Sequence, residues 1–177
     1  MSYLYNINIK DELLGDYSKT QCLKIVKYIG SDATRFDELI SLLLKGPYRL
    51  TQRAAWPLSI CVQNSPELIY PHLKHVISLI SEKDAPHAVK RNVVRLLQFI
   101  KIPNSLQGLV ADLCFGFLSN KKEPVAVRVF SMTVLANLAM NFPELKHEIT
   151  ALIEESMPFE SAGFIARGRK VLKALKK

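Results

Sequence analysis

Helical periodicity along nearly the whole chain, helix-breaking residues at regular intervals, and an arginine recurring every 37–39 residues predict an all-α protein of about ten helices taken in five pairs. Phe36, Leu39, Ile40, Leu43 and Leu44 follow the i, i+3, i+4, i+7, i+8 pattern of one buried helix face. Leu68, His72, Val76, Ile77 and Ile80 behave similarly, as do Phe130, Val134, Leu135 and Leu138. No stretch alternates polar and apolar residues for long enough to suggest a sheet.

Punctuation places the elements in order. Helices are expected over 3–14, 17–29 and 31–45, each followed by a glycine (Gly15, Gly30, Gly46) where a left-handed closing residue is needed. The next, 48–64, starts after Pro47 and carries Pro57, which predicts a kink. The fifth, 66–81, starts at Ser65-Pro66 and carries Pro71, which predicts a broken first turn. Helices over 87–101, 104–119, 125–142, 143–156 and 161–177 complete the set, with Pro86, Pro124 and Pro143 at starts where a missing N–H is harmless. Ser31, Ser65 and Asp84 are expected N-caps.

The recurring arginines sit in the first half of the second helix of a pair: Arg53 in Gln52-Arg53-Ala54-Ala55-Trp56, Arg91 in Lys90-Arg91-Asn92-Val93-Val94, and Arg128 in Val127-Arg128-Val129-Phe130-Ser131. Arg167, in Ala166-Arg167-Gly168-Arg169-Lys170, continues the register. Leu118 to Ala139 is the clearest unit, in which Glu123-Pro124-Val125-Ala126-Val127-Arg128 leads into an apolar helix. In these residues the chain resembles the HEAT-repeat family of armadillo-type α-solenoids over roughly residues 31–177, with 1–30 as a degenerate first pair. The resemblance implies a right-handed α-solenoid of about five helix pairs forming one domain, with repeats near 1–30, 31–65, 66–102, 103–142 and 143–177. The family usually places an Asp in the turn ahead of the arginine; here Asp84, Glu123 and Glu160 stand in at unequal offsets, and Gly46-Pro47 occupies the remaining turn.

Composition bounds the function. With 49% hydrophobic and 23% charged residues in 177, the chain can bury a core and is not intrinsically disordered. Cys22, Cys61 and Cys114 are odd in number, widely spaced and set among apolar residues, so they read as buried thiols of a reducing compartment. The first ten residues lack the pattern of a signal peptide, and the longest apolar stretch, 129–140, is interrupted and too short to span a bilayer. A soluble, cytoplasmic, monomeric protein is expected.

The net charge of +8 conceals a separation. The five expected second helices (17–29, 48–64, 87–101, 125–142 and 161–177) hold 16 Lys or Arg and no Asp or Glu. All 16 acids and the other 8 basic residues lie elsewhere. Second helices form one layer of a solenoid, usually the concave one. Arg49, Arg53 and Trp56 stand at i, i+4, i+7, and Arg91, Arg95 and Gln98 repeat that spacing. Arg128 with Ser131, and Arg167 with Lys170, continue it, so a basic stripe is expected to steer an anionic partner.

Two readings stand for several of these residues. The repeat arginines either pair with turn acids or face a ligand, and Trp56 lies either in the core or in the groove as a stacking platform. The cluster Arg167, Arg169, Lys170, Lys173, Lys176 and Lys177 is either a polar end cap or a nucleic-acid-binding tail. His72 and His75 stand at i, i+3 with no acid or cysteine set nearby, so no metal site is expected, and Leu152 breaks the zincin-like start at His147-Glu148. No phosphate-binding glycine loop, nucleophile elbow, paired groove carboxylates or fumarase-type loop is present. The chain is therefore read as a non-enzymatic interaction module without a cofactor or small-molecule substrate, whose basic face binds an acidic protein surface or a nucleic-acid backbone. The alternative is a DNA-repair protein similar to the HEAT-like alkylpurine glycosylases, catalytically degenerate because no acid lies on a second helix. A third possibility is docking of a partner on apolar residues such as Met132, Leu135 and Ala139.

Overall fold

Apolar spacing decides where the helices run, and short polar side chains or prolines decide where they start. The structure, a computed structural model, describes residues 7–176, and among these it is all-α with ten helices and no strand. They are α1 (Ile9–Leu14), α2 (Lys19–Ile29), α3 (Ala33–Lys45), α4 (Tyr48–Asn64), α5 (Leu73–Ser81), α6 (His87–Leu97), α7 (Asn104–Ser119), α8 (Val125–Leu138), α9 (Leu145–Ser156) and α10 (Ala162–Leu175). Short 3-10 turns at Pro66–Ile69 and Met157–Phe159 precede α5 and α10.

Asn8, Ser18, Asp32 and Ser161 cap α1, α2, α3 and α10, each accepting a backbone N–H three residues on. Pro47, Pro86, Pro103 and Pro124 occupy the cap position of α4, α6, α7 and α8 without a side-chain bond. A proline there disfavours helical geometry at the preceding residue, so the helix cannot extend upstream.

Several local expectations are corrected. Asp32, not Ser31, caps α3, because its carboxylate reaches the Arg35 N–H. Ser65 makes no side-chain cap, and Asp84 lies two residues before the Pro86 cap position. Of the three closing glycines only Gly30 has a positive φ, at 53°. Gly46 has φ −72°, and what demands glycine there is space: an added Cβ would lie 2.3 Å from the Leu42 carbonyl oxygen. α4 runs as one helix through Pro57, whereas the Pro71 region splits into the 3-10 turn and α5. Of the expected helix 3–14, residues 3–6 lie outside the described part, and the helix begins after Asn8. α6 and α8 also stop short of their expected ends.

The chain divides into two compact units, Met1–Ile100 and Lys101–Lys177. In the first, α4 is central and packs on α1, α2, α3 and α6. Eight of its seventeen residues are buried, too many for a helix with a single apolar stripe, and small ones (Ala54, Ala55, Ser59) allow close approach of neighbours. α4 packs against both α2 and α6, the other second helices of the unit, while α3 touches α1 and α5. In the second unit α8 packs on α7, α9 and α10, and α7 on α9. Phe164, Gly168, Val171 and Leu175 bury one side of α10 at helical spacing. Each unit is therefore a two-layered stack of helix pairs. No helix among the described residues is long and apolar enough to cross a membrane.

Candidate partner-binding faces

The second helices retain their charge pattern. α2 carries three lysines, α4 two arginines, α6 one lysine and two arginines, α8 one arginine, and α10 two arginines and two lysines. None of the five carries an Asp or Glu.

In the first unit, Arg53 reaches back from α4 to the end of α1. Its Nη1 donates to the carbonyls of Leu13 at 2.8 Å and Gly15 at 2.7 Å, and its guanidinium lies 5.3 Å from the centre of the Tyr17 ring. Carbonyls at a helix C-terminus lack intrahelical donors, so Arg53 closes α1 in the way a cap does. Trp56, one turn further along α4, is half-buried and meets Tyr17 edge to face with ring centres 5.6 Å apart. The cleft among Tyr17, Arg53 and Trp56 holds about 10 Å³, no more than a single water. Tyr17, exposed at the α1–α2 turn, was not foreseen, because a lone turn aromatic carries no periodic signal.

Arg49 and Arg91 are exposed, and Arg95 and Gln98 half-exposed. The Gln98 side chain donates to the Arg95 carbonyl at 3.1 Å. Arg95 lies near enough to Cys22 for its charge to act on that thiol. His72, expected to lack an acid, lies 2.7 Å from Asp37. Among the described residues no group of three or more His, Cys, Asp or Glu is placed to hold a metal ion.

In the second unit, Arg128 and Ser131, expected on the ligand-facing stripe, are inside. Arg128 is 2% exposed: Nε donates to the Leu118 carbonyl at 3.0 Å, Nη1 pairs with Glu160, and the guanidinium lies over Phe164 at 4.7 Å. Ser131 is fully buried, and its hydroxyl donates to the Val127 carbonyl one turn back while serving the Cys114 thiol. Both were placed on a ligand-facing stripe by spacing; α8 instead turns that side into its packing with α7 and α10. Arg167 is half-buried and donates to the Thr133 hydroxyl at 2.7 Å.

Lys170 is exposed and borders a groove of about 600 Å³ formed by α8, α10 and the start of α9. Ala136, Met140 and Ala174 contribute to its apolar floor, and Lys146 and Lys173 join Lys170 at its rim. Met140 is 81% exposed. Sorting charges by helix layer missed Lys146, because it belongs to a first helix.

Burial pushes all three thiols up to about 12 from an ordinary value near 9. Cys22 raises Cys61 further, while Arg95 opposes the rise at Cys22 and the Ser131 bond opposes it at Cys114. The unfolded chain releases these protons near pH 9 and the folded chain keeps them to about 12, so the folded state binds more protons in that window. Stability is accordingly present below pH 9 and lost as pH rises toward 12. Urea midpoints measured at about pH 8 and pH 10 should fall at the higher pH. In a Cys22→Ala/Cys61→Ala/Cys114→Ala chain the fall should be smaller; an equal fall in both would remove the thiols as its cause.

A family model described as HEAT repeat domain matches residues 9–175. No curated protein matches the chain, and no solved structure does.

Proposed function

We propose that this chain, which belongs to the HEAT repeat domain family, is a non-enzymatic interaction module that binds an anionic partner through its second helices. The family's repeats typically serve as protein-interaction modules. The observation that carries the charge requirement is the absence of any Asp or Glu from α2, α4, α6, α8 and α10, while Arg49 and Arg91 stand exposed on second helices of the first unit and Lys170 on one of the second. A surface of one sign raises the local concentration of polyanions and speeds their encounter. The partner is an acidic protein surface or a nucleic-acid backbone.

Anisotropy titrations with labelled duplex DNA, single-stranded RNA and polyglutamate, at about 50 and 200 mM salt, test this directly. Binding at low salt should weaken steeply at high salt, and Arg49→Glu/Arg91→Glu should weaken it at least tenfold. Loss of two phosphate contacts lowers the logarithmic salt slope by about 2. A chain that binds none of the three at low salt is not an anion-binding module.

A DNA-repair role of the alkylpurine-glycosylase kind is the second reading, supported by the Tyr17–Trp56 aromatic pair beside Arg53. The second helices supply no carboxylate for excision, so this reading keeps DNA binding and gives up the chemistry.

A further inference from the structure

The 600 Å³ groove of the second unit combines two features that a phosphate backbone does not need together: an apolar floor and a cationic rim. Ala136 stands in the last turn of α8 and Met140 in the turn that follows it, while Lys170 and Ala174 stand at i, i+4 on α10, so the floor runs from the end of α8 along α10. Small alanines leave depth for an incoming side chain. The exposed, unbranched Met140 adapts its shape to it. No acid lines the groove, and among the described residues Lys146, Lys170 and Lys173 have no ion-pair partner. A nucleic-acid strand would satisfy the three ammonium groups but leave the floor wet, whereas a neutral apolar helix would fill the floor and leave the charges unused.

We propose that this groove is the docking site for an acidic amphipathic helix of a partner protein, with apolar side chains one turn apart seated on Ala136, Met140 and Ala174 and flanking Asp or Glu residues paired with Lys146, Lys170 and Lys173. This rests on the anion-binding reading above and names the partner chemistry and the place for the second unit. Helix-in-groove docking of this kind is read from apolar anchors at i, i+3, i+4 and i+7. The lysine rim sets orientation and encounter rate, and the apolar floor slows dissociation.

The test selects binders from a displayed library of random peptides of about 15 residues, four helical turns in length. Selected peptides should be rich in Asp and Glu, with Leu, Phe or Met at helical spacing. A synthetic copy of one should become helical on binding, as seen by circular dichroism. Met140→Glu should weaken it at least tenfold, and so should Lys146→Glu/Lys170→Glu/Lys173→Glu. Met140, Lys170 and Lys173 are exposed and Lys146 half-exposed, so folding should survive; thermal melts check it. Lys10→Glu/Lys74→Glu, at exposed positions of α1 and α5 in the other unit with no part in the proposed binding, should leave peptide affinity within twofold. No enrichment, enrichment of neutral or basic peptides, or equal affinity for the Met140→Glu chain overturns the proposal. If that happens while DNA, RNA or polyglutamate still binds in a salt-dependent way, only the groove assignment is lost. If no polyanion binds either, the anion-binding reading fails with it.

Discussion

Arg128→Ala is expected to lower folding stability by about 3–5 kcal/mol, the cost of breaking a buried ion pair from one side. The side chains of Arg128 and Glu160 are 3% and 9% exposed, so neither has ready access to water as a substitute partner. Removing the guanidinium also takes the donor from the Leu118 carbonyl in the last turn of α7 and the cation from the face of Phe164. Arg128 thereby joins α7, α8 and the turn before α10, and its loss should loosen all three. The pair is itself imperfect, since Nη2 is buried without a hydrogen-bond partner. Replacing both members by uncharged residues of similar size, Arg128→Met/Glu160→Gln, should recover most of the loss, because no charge then remains buried alone. Urea unfolding followed by circular dichroism measures both. A loss below about 1 kcal/mol for Arg128→Ala would mean that the pair is solvated, as surface pairs are.

Arg53→Ala should release α1. Hydrogen bonds to a charged group contribute about 1.5–3 kcal/mol each, and Arg53 makes two to carbonyls at the end of α1. α1 has six residues, too few to hold a helix without docking. Ile9 and Leu13 anchor its buried side, so the expected effect is local opening of α1 rather than collapse of the unit. At about 3 kcal/mol, hydrogen exchange of the α1 amides should speed by roughly 100-fold, while the amides of α4 and α6 change little. Trp56 fluorescence should shift as Tyr17 moves away. Unchanged exchange in α1 would show that its apolar contacts alone hold it.

The helices were legible because their causes are local. The i, i+3, i+4 spacing over Phe36–Leu44 and the prolines ahead of α4, α6 and α8 act within a few residues of where they stand, so α3, α4, α7 and α9 fall within two residues of the expected bounds. The caps were less legible, since Asp32 and Ser31 are chemically alike and one residue of backbone geometry selects between them. The helix does stop at Gly46, but not through the left-handed geometry its position predicts: the reason is the nearness of the Leu42 carbonyl, which no residue pattern displays.

The arginine register shows the other limit. Arg53, Arg91, Arg128 and Arg167 are equivalent along the chain and differ in space. Arg53 closes a helix 38–40 positions earlier, Arg91 lies exposed, Arg128 is buried against Glu160, and Arg167 bonds Thr133. Ser131 shared a spacing with the candidate stripe and is fully enclosed, whereas Lys146 shared no spacing and borders the groove.

The order of residues alone was enough to establish the helical pairs, the repeat and the separation of charge between helix layers, because each depends on which helix a residue belongs to. Which charges reach solvent, which aromatic is half-covered and where an apolar floor meets a lysine rim were settled only by packing. Burial and ion pairing are relations between side chains tens of positions apart, set by the neighbour each helix face meets and not by its period.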